Sequence, residues 1–116
     1  MKVNLIVIKT SKPENLKAQY EALGLAFEYH RHGKGPYHFS ASISGLTFEI
    51  YPLPKSYEVA DSTTRLGIQV NDLANTLNKV TDAGWQIISE TNNTEWGLMA
   101  VIQDMDGRKV ELSQMV

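Results

Sequence analysis

Apolar positions along the chain change period several times, and each change marks an expected element. Val3 to Ile8 is a branched apolar run with the length of a buried strand. Ser11-Lys12-Pro13-Glu14 then opens a helix, because proline suits a first helical turn and Glu14 meets the positive end of the dipole. Leu16, Tyr20 and Leu23 give that helix a narrow apolar stripe, and Gly24 ends it. Leu25 to His30 alternates as a second strand, Gly33-Lys34-Gly35-Pro36 is a loop, and Tyr37–Ile43 and Leu46–Tyr51 make a hairpin around Ser44-Gly45.

The second half runs through the same order. Leu66 to Val70 reads as a strand, and Asp72 caps a helix through Leu73, Leu77 and Val80 that stops at Gly84. Trp85 to Ser89 is a strand, Asn92-Asn93 is expected to turn, and Leu98 to Gln103 is the next strand. Asp104-Met105-Asp106-Gly107 turns into a last strand, Lys109 to Ser113. Gly35, Gly45 and Glu49 each precede Gly97, Gly107 and Glu111 by 62 positions, and Gly24 precedes Gly84 by 60. The chain therefore reads as one domain of two strand-helix-three-strand units, about 1–54 and 64–116, with a linker at 55–63. Neither unit buries its sheet alone, so the units are expected to pair within the chain or across a homodimer.

Composition narrows the classes. The chain has 116 residues, a net charge of −2 and no block of like charge, which argues against a nucleic-acid partner. No cysteine is present, which removes thiol nucleophiles and thiolate metal sites and permits a reducing compartment. The first apolar run is too short for a signal segment and nothing approaches a membrane span, so a cytoplasmic protein with no membrane partner is expected.

Five segments carry a resemblance: Asn4 to Ile8, Tyr20 to Leu25, Phe48 to Tyr51, Leu66 to Leu73, and Asp104 to Leu112. Together they resemble the vicinal oxygen chelate superfamily, which includes glyoxalase I, extradiol dioxygenases and bleomycin resistance proteins. The last segment, with the pattern D-x-D-G-x-x-x-E-L, is the most specific of them. The resemblance implies an α+β fold of two tandem βαβββ units forming a cupped eight-stranded mixed sheet, often completed in a homodimer. It also implies a divalent metal on the concave face of the family's enzymes. The ligands there are a His or Gln early in each unit's first strand and a Glu in each last strand. Those positions fall on Asn4, Glu49, Arg65 and Glu111. Asparagine is a weak neutral ligand and arginine has no lone pair to offer, so no intact metal site and no cofactor are expected, with a divalent metal kept as the alternative. Arg65 would instead neutralise the carboxylates.

Strand alternation turns Glu49 the same way as Thr47 and Tyr51, and a two-residue loop at Ser44-Gly45 sets Ser40 opposite Glu49 and His38 opposite Tyr51. A three-residue loop would reverse that parity. The same logic groups Lys109, Glu111 and Ser113 with Arg65, Gly67 and Gln69. The candidate catalytic residues are His38, as a general base or else a hydrogen-bonded wall residue, Glu49 and Glu111; the candidate ligand-binding residues are Asn4, Tyr51, Arg65, Gln69, Trp96 and Met99, with core packing the default for Tyr51 and Met99. The alternative is a purely structural ion-pair cluster. His30 and His32 read as solvated strand-end residues with no carboxylate spaced to join them. Trp85 reads as core, and Trp96 as a cavity or dimer contact or a ring folded over its own hairpin. Asp104 and Asp106 lack the remaining ligands of a calcium loop and read as a turn. The leading functional expectation is a protein that encloses a small organic molecule in the concave cleft without metal, as bleomycin resistance proteins do. A metal-dependent lyase, isomerase or dioxygenase of the glyoxalase type is the alternative, and a dimeric scaffold with a vestigial site the third.

Overall fold

Strand β1, Leu5–Thr10, leads into helix α1, Pro13–Glu21, and then into β2 (Glu28–His30), β3 (His38–Ile43) and β4 (Leu46–Pro52). The second set is β5 (Arg65–Gln69), α2 (Leu73–Asp82), β6 (Gln86–Thr94), β7 (Gly97–Gln103) and β8 (Lys109–Gln114). The computed structural model describes residues 1–115. The chain divides into two compact units, Met1–Asp61 and Ser62–Val116.

Each unit is a four-stranded mixed sheet, ordered β1-β4-β3-β2 in the first and β5-β8-β7-β6 in the second. The first strand of each pairs in parallel with the last, and the remaining pairs are antiparallel. The expected α+β class and the eight strands are therefore present as two sheets of one design. One sheet face packs on the helix. In the first unit Ile8, Leu16, Tyr20, Phe48 and Ile50 are buried there, with the Tyr20 and Phe48 rings 5.2 Å apart. In the second, Leu73, Val80, Trp85, Ile102, Val110 and Leu112 are buried. The Asp72 cap forms as expected, its Oδ1 accepting from the Asn75 N–H at 3.1 Å.

Three details differ from expectation. Asn92-Asn93 does not turn: both residues lie in β6, opposite Met99 and Leu98, and the chain reverses at Glu95-Trp96. Thr94 and Gly97 decide this, since the Thr94 hydroxyl donates to the Gly97 carbonyl at 2.7 Å and accepts from the Trp96 N–H at 3.2 Å. Gly97 has φ +120°, and a Cβ there would run into the Gln114 carbonyl oxygen, so only glycine fits. Second, the match of Gly35 to Gly97 is not structural. Gly97 opens β7, whereas Gly35 lies outside β3, which begins at His38; Ser40 stands opposite Glu49 but Val101 opposite Glu111, so β7 is offset from β3 by 61 positions and not 62. Third, β1 starts at Leu5 rather than Val3, with Val3 exposed.

The short Ser44-Gly45 turn, with φ +47° and +86°, is the two-residue hairpin connection that matches strand twist. It sets Ser40 opposite Glu49, as the parity argument requires.

Candidate functional site

The sheet face away from the helix carries the polar residues of both units. In the first unit this face holds Leu5, Val7 and Lys9 of β1, Thr47, Glu49 and Tyr51 of β4, Ser40 and His38 of β3, and Glu28 and His30 of β2. Glu49 is buried between Val7 and Ser40 in the register, and His38 is 1% exposed. His38 Nε2 lies 3.2 Å from Glu49 Oε2. The Tyr51 ring stacks on His38 with centroids 4.1 Å apart and planes 8° from parallel. Burial first, and then the charge of Glu49, raise the Tyr51 pKa above its ordinary value, so the phenol stays neutral.

The histidine neighbourhood departs from the sequence reading. His30 and His32 are not isolated solvated residues: with His38 and Glu49 they bring one donor atom each to within 4.8 Å of all the others. Glu49 is distant in sequence, but β3 lies between it and β2, so the sheet closes the gap. The signal was available, because His30 pairs with His38 in the β2–β3 register. His32 follows from the loop, where the Gly35 N–H donates to the His32 carbonyl at 3.0 Å and Arg31 Nε donates to the Gly35 carbonyl at 3.0 Å.

In the second unit Arg65, Gly67 and Gln69 face Lys109, Glu111 and Ser113 in register. Arg65 places both Nε and Nη2 on Glu111 Oε1, at 2.9 and 2.7 Å, with the two side chains 52% and 39% exposed. Met99 is half-buried opposite Ser113, and Gln69 is exposed. Trp96 stands clear at the β6–β7 turn, 73% exposed. Asn4 is exposed ahead of β1, and its carbonyl accepts from the Thr47 N–H at 2.9 Å.

Register also corrects one equivalence. Leu5 pairs with Thr47, two before Glu49, as Arg65 pairs with Lys109, two before Glu111, so the counterpart of Arg65 is Leu5 and not Asn4. The family's metal arrangement asks for a donor at both positions. Leucine has none, and arginine has none and already holds Glu111, so the residues present do not fit that metal.

Two open grooves border these faces. One of about 460 Å³ is lined in the first unit by Gly24 to Ala26, Glu28, His30, Ser40, Ser42 and Thr47. The other, also about 460 Å³, is lined in the second unit by Ser62 to Arg65, Gln103, Gly107 and Lys109.

Comparison with known proteins gives a consistent picture. No curated protein matches the sequence significantly. Among solved structures, TnmS3, an antibiotic binding protein from Streptomyces sp. CB03234, is 19% identical, with 100% of this chain and 97% of that one covered at a TM-score of 0.73. TioX from Micromonospora sp. ML1 is 15% identical over the whole of both chains, at 0.73. A glyoxalase/bleomycin resistance protein/dioxygenase family enzyme from Burkholderia phytofirmans PsJN is 14% identical over the whole of both chains, at 0.76. At such identities the likeness speaks for the fold alone. The family model, however, matches residues 2–112, nearly the whole sequence, and with the two βαβββ units it establishes that the chain belongs to the Glyoxalase/Bleomycin resistance protein/Dioxygenase superfamily.

Proposed function

We propose that the chain binds a small organic molecule on the polar sheet face of Met1–Asp61, and that it does so without the family's metal arrangement. The observation that carries this is the donor chemistry: Leu5 and Arg65 stand at the two first-strand positions, and Arg65 is committed to Glu111. The groove beside Ser40, Ser42 and Thr47 has about 460 Å³, inside the roughly 300–1,000 Å³ that small-molecule sites occupy. Its wall offers hydroxyls and one carboxylate for orientation and the Gly24–Ala26 segment for apolar contact. The antibiotic-binding relative with the same fold supports a ligand of that general kind.

A screen of antibiotics and aromatic metabolites in a chelating buffer tests the proposal, reading the rise in melting temperature. A ligand at a hundredfold excess over its Kd stabilises by about 2.7 kcal/mol, which such a screen detects. Ser42→Trp places a large ring on an exposed groove wall and is expected to weaken any true ligand at least tenfold. A screen without ligands, or a ligand indifferent to Ser42→Trp, overturns the proposal.

The buried His38–Glu49 pair favours one second reading, that this face also moves a proton. A bound compound converted by the wild type and returned unchanged from His38→Gln would support it.

A further inference from the structure

We infer that His30, His32, His38 and Glu49 form a site for one divalent ion of the zinc class, built entirely from residues of Met1–Asp61. It shares only Glu49 with the positions that the family uses. Four donor atoms, three imidazole nitrogens and one carboxylate oxygen, lie within 4.8 Å of one another. Tetrahedral coordination with bonds of about 2.0–2.1 Å separates neighbouring donors by roughly 3.3 Å. His38 Nε2 and Glu49 Oε2 already stand 3.2 Å apart. The remaining contraction falls on His30 and His32, which are half-buried and exposed and therefore free to adjust.

The tautomer of His38 makes the case specific. Its Nδ1 lies 3.2 Å from the Pro36 carbonyl oxygen, which can only accept, so Nδ1 carries the proton. Nε2 is then the nitrogen left for ligation, and this buried atom has no hydrogen-bond partner among the described residues. It faces Glu49 Oε2 at 3.2 Å; a proton or a metal cation between these two buried atoms satisfies both, and the two further imidazoles beside them point to the metal.

The surroundings fit ligation as well. His30 Nε2 lies 2.8 Å from Glu28 Oε2, a contact through which the carboxylate orients the ring. His32 stacks on His38 with centroids 5.0 Å apart, and Tyr51 stacks on His38 at 4.1 Å. A set of three imidazoles and one carboxylate suits zinc, cobalt(II) or nickel, whereas calcium and magnesium prefer all-oxygen shells.

Cobalt(II) titration of the tag-free, chelator-stripped chain tests this with no organic ligand present, so its outcome is independent of the small-molecule reading. One ion per chain is expected, with the intense visible bands of a tetrahedral cobalt site and displacement by zinc. His32→Ala removes an exposed side chain, leaves the fold intact by circular dichroism, and is expected to weaken binding at least tenfold; His30→Ala is expected to do the same. Glu49→Gln, if it folds, should bleach the cobalt spectrum. Absence of stoichiometric binding overturns the inference, as does an affinity unmoved by His32→Ala. Binding that disappears with Glu111→Gln but survives His32→Ala would return the ion to the family's positions and equally overturn it.

Discussion

Two arginine–carboxylate clusters in the second unit differ sharply in their access to water, and that difference sets very different mutational costs. Arg108 is fully buried; its Nη1 donates to Asp104 Oδ2 at 3.2 Å and to Asp106 Oδ2 at 3.0 Å. Burial works against its charge, but the hydrogen bond to Asp106 and the charge and hydrogen bond of Asp104 outweigh it, so its pKa stands above the ordinary arginine value. Arg108→Met keeps most of the stem's volume and removes the charge, leaving two carboxylates in a site with 0% and 14% side-chain exposure. Breaking a buried pair from one side costs about 3–5 kcal/mol. Arg65→Met breaks a pair whose side chains are 52% and 39% exposed, and such pairs are worth about 0.2–1 kcal/mol. Urea unfolding followed by tryptophan fluorescence measures both, because Trp85 and Trp96 belong to the unit that holds both arginines. In a thermal scan the Arg108 variant should melt roughly 12–20 °C lower, taking about 4 °C per kcal/mol for a domain of this size. A loss below about 1 kcal/mol for Arg108→Met, or an equal loss for Arg65→Met, would refute the reasoning.

Gly97→Ala should destabilise the second unit by more than about 1 kcal/mol, since φ is positive there and the new methyl meets the Gln114 carbonyl; urea midpoints check it, and an unchanged midpoint would show that the hairpin shifts at no cost. Tyr51 has a raised pKa in the folded state, so its share of stability is complete below the ordinary tyrosine pKa of about 10 and is lost as pH climbs through the raised value. The stability difference between wild type and Tyr51→Phe should therefore move against the wild type from about pH 9 to 11, and a flat difference across that range would contradict the assigned environment.

Much of the fold could be read in the alternation of side chains. Parity around Ser44-Gly45 located Ser40 opposite Glu49 because a two-residue hairpin leaves no freedom of register. Arg108, just ahead of β8, is buried with Val110 and Leu112, and its sequence position in a turn gave no sign of that burial. What local pattern could not show was convergence across strands. His30 and Glu49 meet because β3 separates their strands by a single position in the sheet, and His32 arrives on a loop whose course depends on hydrogen bonds at Gly35. The Asn92-Asn93 reading failed for a related reason. Asparagine pairs favour turns, but the Thr94 hydroxyl and the crowding at Gly97 placed the reversal three residues later.

The repeat then explains why two copies of one unit support different chemistry. Glu49 and Glu111 occupy equivalent register positions, yet their side chains are 10% and 39% exposed. Three exchanges around them account for it. Where the first unit has His38 and Tyr51 stacked beside its carboxylate, the second has Met99 and Ser113, which leave Glu111 open to water. Where the first has Leu5, which brings no charge, the second has Arg65, which supplies the counter-charge that an exposed carboxylate accepts at little cost. Glu49 has no arginine in that place and is too buried for water to replace one, so its compensation has to come from the histidines, or from what the histidines hold. The same backbone thus presents one face whose charge is already paired and another whose charge is poised for a ligand. That asymmetry is why binding is assigned to Met1–Asp61.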